Sequence, residues 1–217
     1  MPRRLLKLRA RSADDKELRR ASIVAGARAL LATADWSELR IADVARRAGV
    51  AKPSVFRYFS TKEELVLAVY LEELGAVFAE LARVPPRPAT DARAAARLLV
   101  TALLAHPLFV RLSGVVHAAL ARRISVESAR RFKLALLEEL RGAAAFLEAL
   151  RPRLTPGSGL RLLLRFHAAM IGLSQLADPP PSVTAALAGG GLDAFCIDFA
   201  HELEEVFVGL LKMEERP

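Results

Sequence analysis

The sequence predicts an all-α protein made of a small N-terminal domain and a larger C-terminal one. Apolar residues recur at three- and four-residue spacing in block after block, with Gly- and Pro-bearing breaks between them. Ala, Leu and Arg dominate while Thr, Tyr and Ile are sparse, which favours helix over strand. Charge divides the chain. From Met1 to Lys62 there are 15 Lys+Arg against 6 Asp+Glu, a net of +9, and from Glu63 to Pro217 there are 17 against 18, a net of −1. The whole excess of +8 therefore belongs to the first third of the 217 residues. Such asymmetry marks a polyanion-binding module, the competing reading being a solvated basic face. The expected boundaries are 12–62 and 63–217, with 1–11 a basic, flexible arm.

The first helix is expected over Asp14–Thr33, where Ile23, Val24, Ala27, Leu30 and Leu31 form one apolar stripe. The "ADWS" segment ends it, and Trp36 folds back onto the stripe. A short second helix, Arg40–Arg47, buries Ile41, Val44, Ala45 and Ala48. Gly49 follows where a left-handed residue ends a helix. The stretch "AKPSVFRYFS" then holds a proline, three aromatics and two cations. A third helix over Lys52–Phe59 puts Pro53 in the first turn, where its missing N–H costs nothing. At 100° per residue Val55 and Phe59 face the preceding helices, while Pro53, Ser54 and Arg57 project the opposite way. Lys52 leaves from the N-terminal end, and Tyr58 sits on the boundary. Phe56 lies nearer the core side, so a core role is at least as well supported as a contact role. Ser60 or Thr61 caps a long fourth helix that runs to about Val84, with Glu63 and Glu64 favouring its first turn.

Two short helices around a glycine turn, the second exposing small and cationic residues, make a helix-turn-helix. The major groove of B-DNA admits one helix. Small residues let its backbone approach, and cations reach base edges and phosphates.

The run "LRIADVARRAGVAKPSVFRYFSTKEEL" resembles the DNA-binding signature of TetR-type bacterial transcriptional regulators, and the likeness is dense from Ala21 to Val69. The resemblance implies an all-helical homodimer with an N-terminal three-helix DNA-binding domain. It also implies a divergent C-terminal domain that dimerises and binds a small-molecule effector. Lys52, Pro53, Ser54, Arg57 and Tyr58 match positions that meet DNA, and Lys62 matches a phosphate contact. The sequence departs from the family at Phe56, where a tyrosine is common, and at Leu39 and Arg40, where Thr or Ser often caps the second helix. Arg40 is expected to replace that hydroxyl as a phosphate contact.

Further helices are expected at about Asp91–Ala105, Pro107–Arg123, Val126–Leu150, Gly159–Asp178 and Leu192–Met213. "DPPPSVTAALAGGG" joins the last two as a loop, with room for one turn of helix. The last two helices carry long apolar stripes: Leu160, Leu164 and Ile171 in one, Phe195, Phe199, Leu203 and Phe207 in the other. A monomer core is the competing reading; the expected role is a dimer interface in which two helices per subunit build a four-helix bundle, which the resemblance also implies. Candidates for a ligand pocket are polar groups within apolar helices, Arg111, His117, Arg165, His167 and Gln175, with Phe132 and Met170 as apolar wall. Each polar group also has a purely structural reading.

Enzyme chemistry is not expected. His106, His117, His167 and His201 lack metal-ligand spacing, Cys196 is the only cysteine, and no phosphate loop or nucleophile elbow occurs. No cofactor, metal, signal peptide or membrane span is expected, and the single cysteine suits the cytoplasm. The expected function is a ligand-responsive regulator, most simply a repressor. It would bind a double-stranded operator as a dimer and be released by a small, largely apolar effector. The rival readings are a constitutive DNA-binding protein and a helical carrier or enzyme with an incidental basic end.

Overall fold

In the computed structural model, residues 2–84, 91–120 and 124–215 are described, with side chains over 14–84, 91–117 and 124–215. Among the described residues ten α-helices follow one another: α1 (Pro2–Leu31), α2 (Ile41–Arg47), α3 (Lys52–Phe56), α4 (Lys62–Ala82), α5 (Ala92–Leu104), α6 (Pro107–Leu120), α7 (Val126–Leu150), α8 (Gly159–Ala177), α9 (Pro181–Leu187) and α10 (Phe199–Glu214). α1 starts at Pro2 and not at Asp14, so the stretch expected as an arm continues the helix. Its Leu, Arg, Lys and Ala are good helix formers, and Pro2 suits a first turn.

α4 is the axis of the molecule. It packs against α1 on one side and α5, α6 and α7 on the others. Leu65, Val66, Val69, Tyr70, Leu74, Val77 and Leu81 are buried along it. Its start is doubly capped. Thr61 Oγ1 accepts from Glu64 N at 3.1 Å, and the Glu64 carboxylate accepts from Ser60 N at 2.8 Å.

Two C-terminal expectations change. The last helix begins at Phe199 and not at Leu192, because Asp198 caps it by accepting from the backbone N–H of Ala200 and His201. Residues 193–195 form a short 3₁₀ turn, and the expected loop contains α9. α10 lies against α5 and α8 of its own chain. Leu203 and Phe207 are fully buried there, with the Phe207 ring 4.5 Å from that of Phe166. These two residues, expected at a dimer interface, are thus core of the single chain. The apolar period is the same whichever partner covers it. The α8–α10 seam is closed by Glu214, which accepts from Arg161 at 2.8 Å and also from Arg165.

Candidate nucleic-acid interface and apolar cavity

The helix-turn-helix forms where the residues require it. Gly49 adopts φ +67° after α2, the left-handed geometry that ends the helix and turns the chain. Val50 N then donates to Ala45 O at 3.0 Å. α3 follows with proline in its first turn. Regular helix stops at Phe56, earlier than expected, but turn bonds continue as Tyr58 and Phe59 both donate to Val55 O at 3.0 Å. Val55 and Phe59 are buried, and the Arg20 guanidinium sits 5.4 Å from the Phe59 ring centre. Lys52, Pro53 and Arg57 are exposed and Tyr58 is half-buried, as the helical projection places them, while Ser54, projected outward, is half-buried. Phe56 differs from the projection. It is 45 % exposed and stands on the outer face with Arg57.

Arg40 is the N-cap residue of α2 and makes no side-chain cap bond, so its exposed guanidinium is free to reach outward. Arg47 is also exposed, whereas Arg46 is paired with Asp43 at 2.7 Å. Lys62 has a different setting. Its ammonium donates to the carbonyls of Trp36 and Ser37, both at 3.1 Å, and lies 5.0 Å from the Trp36 ring centre. It staples the first turn of α4 to the α1–α2 loop, a contact that joins residues far apart in sequence and leaves no local signature.

Three more links tie the helix-turn-helix and its flanking helices to the rest. Arg28 of α1 pairs with the buried Glu73 of α4. Arg111 of α6 donates to the carbonyls of Leu31 and Ala32, capping the end of α1. Ser128 of α7 donates to Glu64 at 2.6 Å.

The predicted pocket residues do not form one site. His167 and Met170 line a cavity of about 70 Å³ between α4, α5, α6, α7 and α8, together with Tyr70, Leu103, Phe109 and Leu163. Phe132 sits beside it, its ring 6.1 Å from that of Tyr70. Arg111 and Gln175 line a separate open cleft of about 640 Å³ between residues 33–36 and α6 and α8. Arg165 belongs to the Glu214 clasp, and His117 is exposed. Tyr70, missed at the sequence level, is the buried centre of the aromatic cluster. Burial pushes its hydroxyl up to about 12, opposed by its hydrogen bond to Ser113. Burial also brings His167 down to about 4, helped by the positive charges of His117 and Lys133. Among the described residues no three His, Cys, Asp or Glu side chains gather into a metal site. No single described helix is long and apolar enough to cross a membrane.

A cationic recognition helix held by a helical domain with an internal cavity defines the class of helix-turn-helix regulators. Residues 23–69 match the family described as bacterial regulatory proteins, tetR family, and residues 67–212 match the tetracyclin repressor-like C-terminal domain. The chain belongs to the TetR family of bacterial transcriptional regulators, and it is a regulator and not an enzyme.

The HTH-type transcriptional regulator EthR of Mycolicibacterium smegmatis is 38% identical over 58 residues, 27% of this chain. That alignment spans 25% of the relative's length. Among solved structures, the multidrug binding protein EbrR complexed with imidazole has a TM-score of 0.60 at 20% identity, covering 89% of this chain and 94% of its own. A TetR regulator from Rhodococcus sp. RHA1 has a TM-score of 0.55 at 18% identity, covering 94% and 99%. The repressor AlkX from Dietzia sp. strain DQ12-45-1b, implicated in biodegradation of n-alkanes, has 0.54 at 18% identity, covering 90% and 96%. At these identities the likeness establishes the fold.

Proposed function

We propose that the protein is a dimeric repressor whose residues 12–62 bind an inverted-repeat operator and whose residues 63–217 dimerise and sense a small, largely apolar effector. One observation carries this reading: α4 serves both ends. Its first residue, Lys62, holds the loop before the recognition module, and its middle residues Tyr70, Leu74, Val77 and Phe78 line the apolar cavity. A ligand that widens the cavity displaces α4, and α4 carries the module with it. In a dimer this alters the spacing of two recognition helices, which must match half-sites about one helical turn apart. Arg40, Lys52, Pro53, Ser54, Arg57 and Tyr58 supply the DNA surface, and the exposed ring of Phe56 adds an apolar contact suited to a thymine methyl.

The dimer surface is the outer side of α8 and α10. Leu164, Ala168, Gly172 and Leu176 are exposed at four-residue spacing on α8, and Gly209 and Met213 are exposed on α10. Of the residues expected there, Leu164 and Phe195 are exposed, at 51% and 65%, while Leu160, Ile171 and Phe199 are half-buried. The multidrug binding of EbrR and the alkane context of AlkX are consistent with an apolar effector.

The test is genome-wide capture of bound DNA, followed by operator titrations with and without candidate effectors. A coupling of about 1–3 kcal/mol gives a 5- to 150-fold loss of operator affinity. Met170→Trp, which fills the cavity, is expected to abolish that response and leave operator binding intact. An effector that binds equally tightly with and without operator overturns the repressor–effector reading for that compound.

A further inference from the structure

The cavity specifies a ligand class through what its wall lacks. Among the described residues the buried charged side chains are Glu73 and Arg151, and neither lines it. Glu73 is held by Arg28 and Arg151 by Glu215. The polar side chains in the wall are those of Tyr70 and His167. Tyr70 is hydrogen-bonded to Ser113. Ser113 is itself buried and donates to Phe109 O at 2.9 Å. The His167 ring lies edge-on to Tyr70 and tilted to Phe109, at ring separations of 6.5 and 6.4 Å, and among the described residues no protein group is seen to hydrogen-bond its ring nitrogens. Among the described residues the fully buried side-chain polar atom without a partner is Ser158 Oγ, so the ring nitrogens of half-buried His167 are not sealed in and stay open to a ligand's hydrogen-bonding group.

We infer that the effector is an uncharged, mostly hydrocarbon molecule bearing one hydrogen-bonding group, such as an alcohol, ketone or ester oxygen, and that His167 is the residue that reads it. This rests on the effector reading proposed above. An ionised carboxylate entering the cavity leaves water and finds no cation in the wall. An ammonium finds no carboxylate there. The imidazole is neutral at pH 7, so it offers one donor and one acceptor and suits a neutral oxygen of either kind. Hydrocarbon satisfies the remainder of the wall, which is Leu, Val, Phe and Met. At about 70 Å³ the cavity lies below the roughly 300 Å³ at which ligand sites begin, so binding must move side chains apart. Long, unbranched Met170 is suited to yield.

Chain-matched probes separate the classes: 1-octanol and 2-octanone, octanoate, and octyltrimethylammonium. Each is titrated calorimetrically into the full-length protein and added to the protein–operator complex. The expected result is that the two neutral probes bind, raise the melting temperature and release DNA, and that the charged pair binds at least tenfold more weakly. His167→Leu is expected to stay folded, because it puts an apolar side chain into an otherwise apolar wall, and to weaken 1-octanol about three- to tenfold, the loss of one neutral hydrogen bond. His167→Gln, which keeps a donor and an acceptor, is expected to retain most of the affinity.

Tighter binding of octanoate or octyltrimethylammonium overturns the inference and leaves the effector reading standing. Neutral probes that bind through His167 but leave operator affinity unchanged support the inference and defeat the effector reading. Failure of all four probes to bind overturns the inference, as does unaltered 1-octanol binding by His167→Leu.

Discussion

The two ends of α4 handle charge in opposite ways. Around its first turn, cations are kept at the surface: Arg40, Arg47, Lys52 and Arg57 are exposed on α2, α3 and their flanks. Half-way along, charge is excluded, and the one buried carboxylate of α4, Glu73, faces away from the cavity to meet Arg28 of α1. A polyanion is bound by charges that remain solvated until contact, so DNA binding needs exposure and little pre-built shape. An apolar ligand is bound by removing hydrocarbon from water, so it needs enclosure and no unpaired charge. α4 runs between the exposed cations and the apolar cavity, so each can be altered without the other.

The largest effects belong to the surfaces that hold the frame together. Phe207→Ala is expected to destabilise the single chain by about 3–5 kcal/mol, because it empties a fully buried ring site. Gly172→Arg should act differently. A side chain there meets nothing within 4 Å in the monomer, so the fold survives by circular dichroism. Dimerisation and operator affinity should fall together, the latter by about 100-fold or more, since the second half-site contact becomes bimolecular. Sedimentation showing an intact dimer for Gly172→Arg would place the interface elsewhere.

Next is the cavity. His167 has a folded value near 4 against an ordinary value of 6.5. Between those limits the unfolded chain binds more protons, so stability rises with pH across that window. The contribution is complete above about pH 6.5 and is lost as pH falls toward 4, and it amounts to roughly 3 kcal/mol. Denaturant unfolding of wild type and His167→Leu at several pH values isolates it, because the variant should lack this component. Operator affinity at pH 7.5 should be the same for both.

Smaller effects distinguish roles at the DNA end. Arg57→Ala is expected to cost about 1–3 kcal/mol on the operator and less on random duplex, relaxing preference at one base pair. Arg47→Ala should weaken both duplexes alike and flatten the salt dependence. Lys62→Ala should instead lower the melting temperature of the free protein, by the equivalent of about 1–2 kcal/mol, because it loses bonds to Trp36 and Ser37. A normal melting temperature with a reduced salt slope would return Lys62 to the phosphate contacts. The smallest change is a gain: Arg40→Thr supplies the cap that α2 lacks, worth about 0.5–1 kcal/mol of stability, while removing one exposed cation.

Local chemistry determined much of this molecule. Pro53, Gly49 and the Thr61–Glu64 cap act within one turn of chain, and the structure has each in the expected geometry. The projection of Lys52, Arg57, Val55 and Phe59 follows from helical period alone. Elsewhere the period was silent about partners. The stripe of Leu203 and Phe207 is amphipathic whether it meets α5 and α8 of its own chain or a second copy, and only packing chose the former. Arg111, Arg165, Gln175 and His167 were alike in sequence, polar residues in apolar helices. Tertiary structure sent them to a helix cap, a carboxylate clasp, an open cleft and an enclosed wall. The reason is range: caps and turns are satisfied by neighbours a few residues away, whereas the fate of a polar side chain on a long helix depends on groups far off in sequence, 49 residues for Arg165 and 80 for Arg111, that only the folded chain brings within reach.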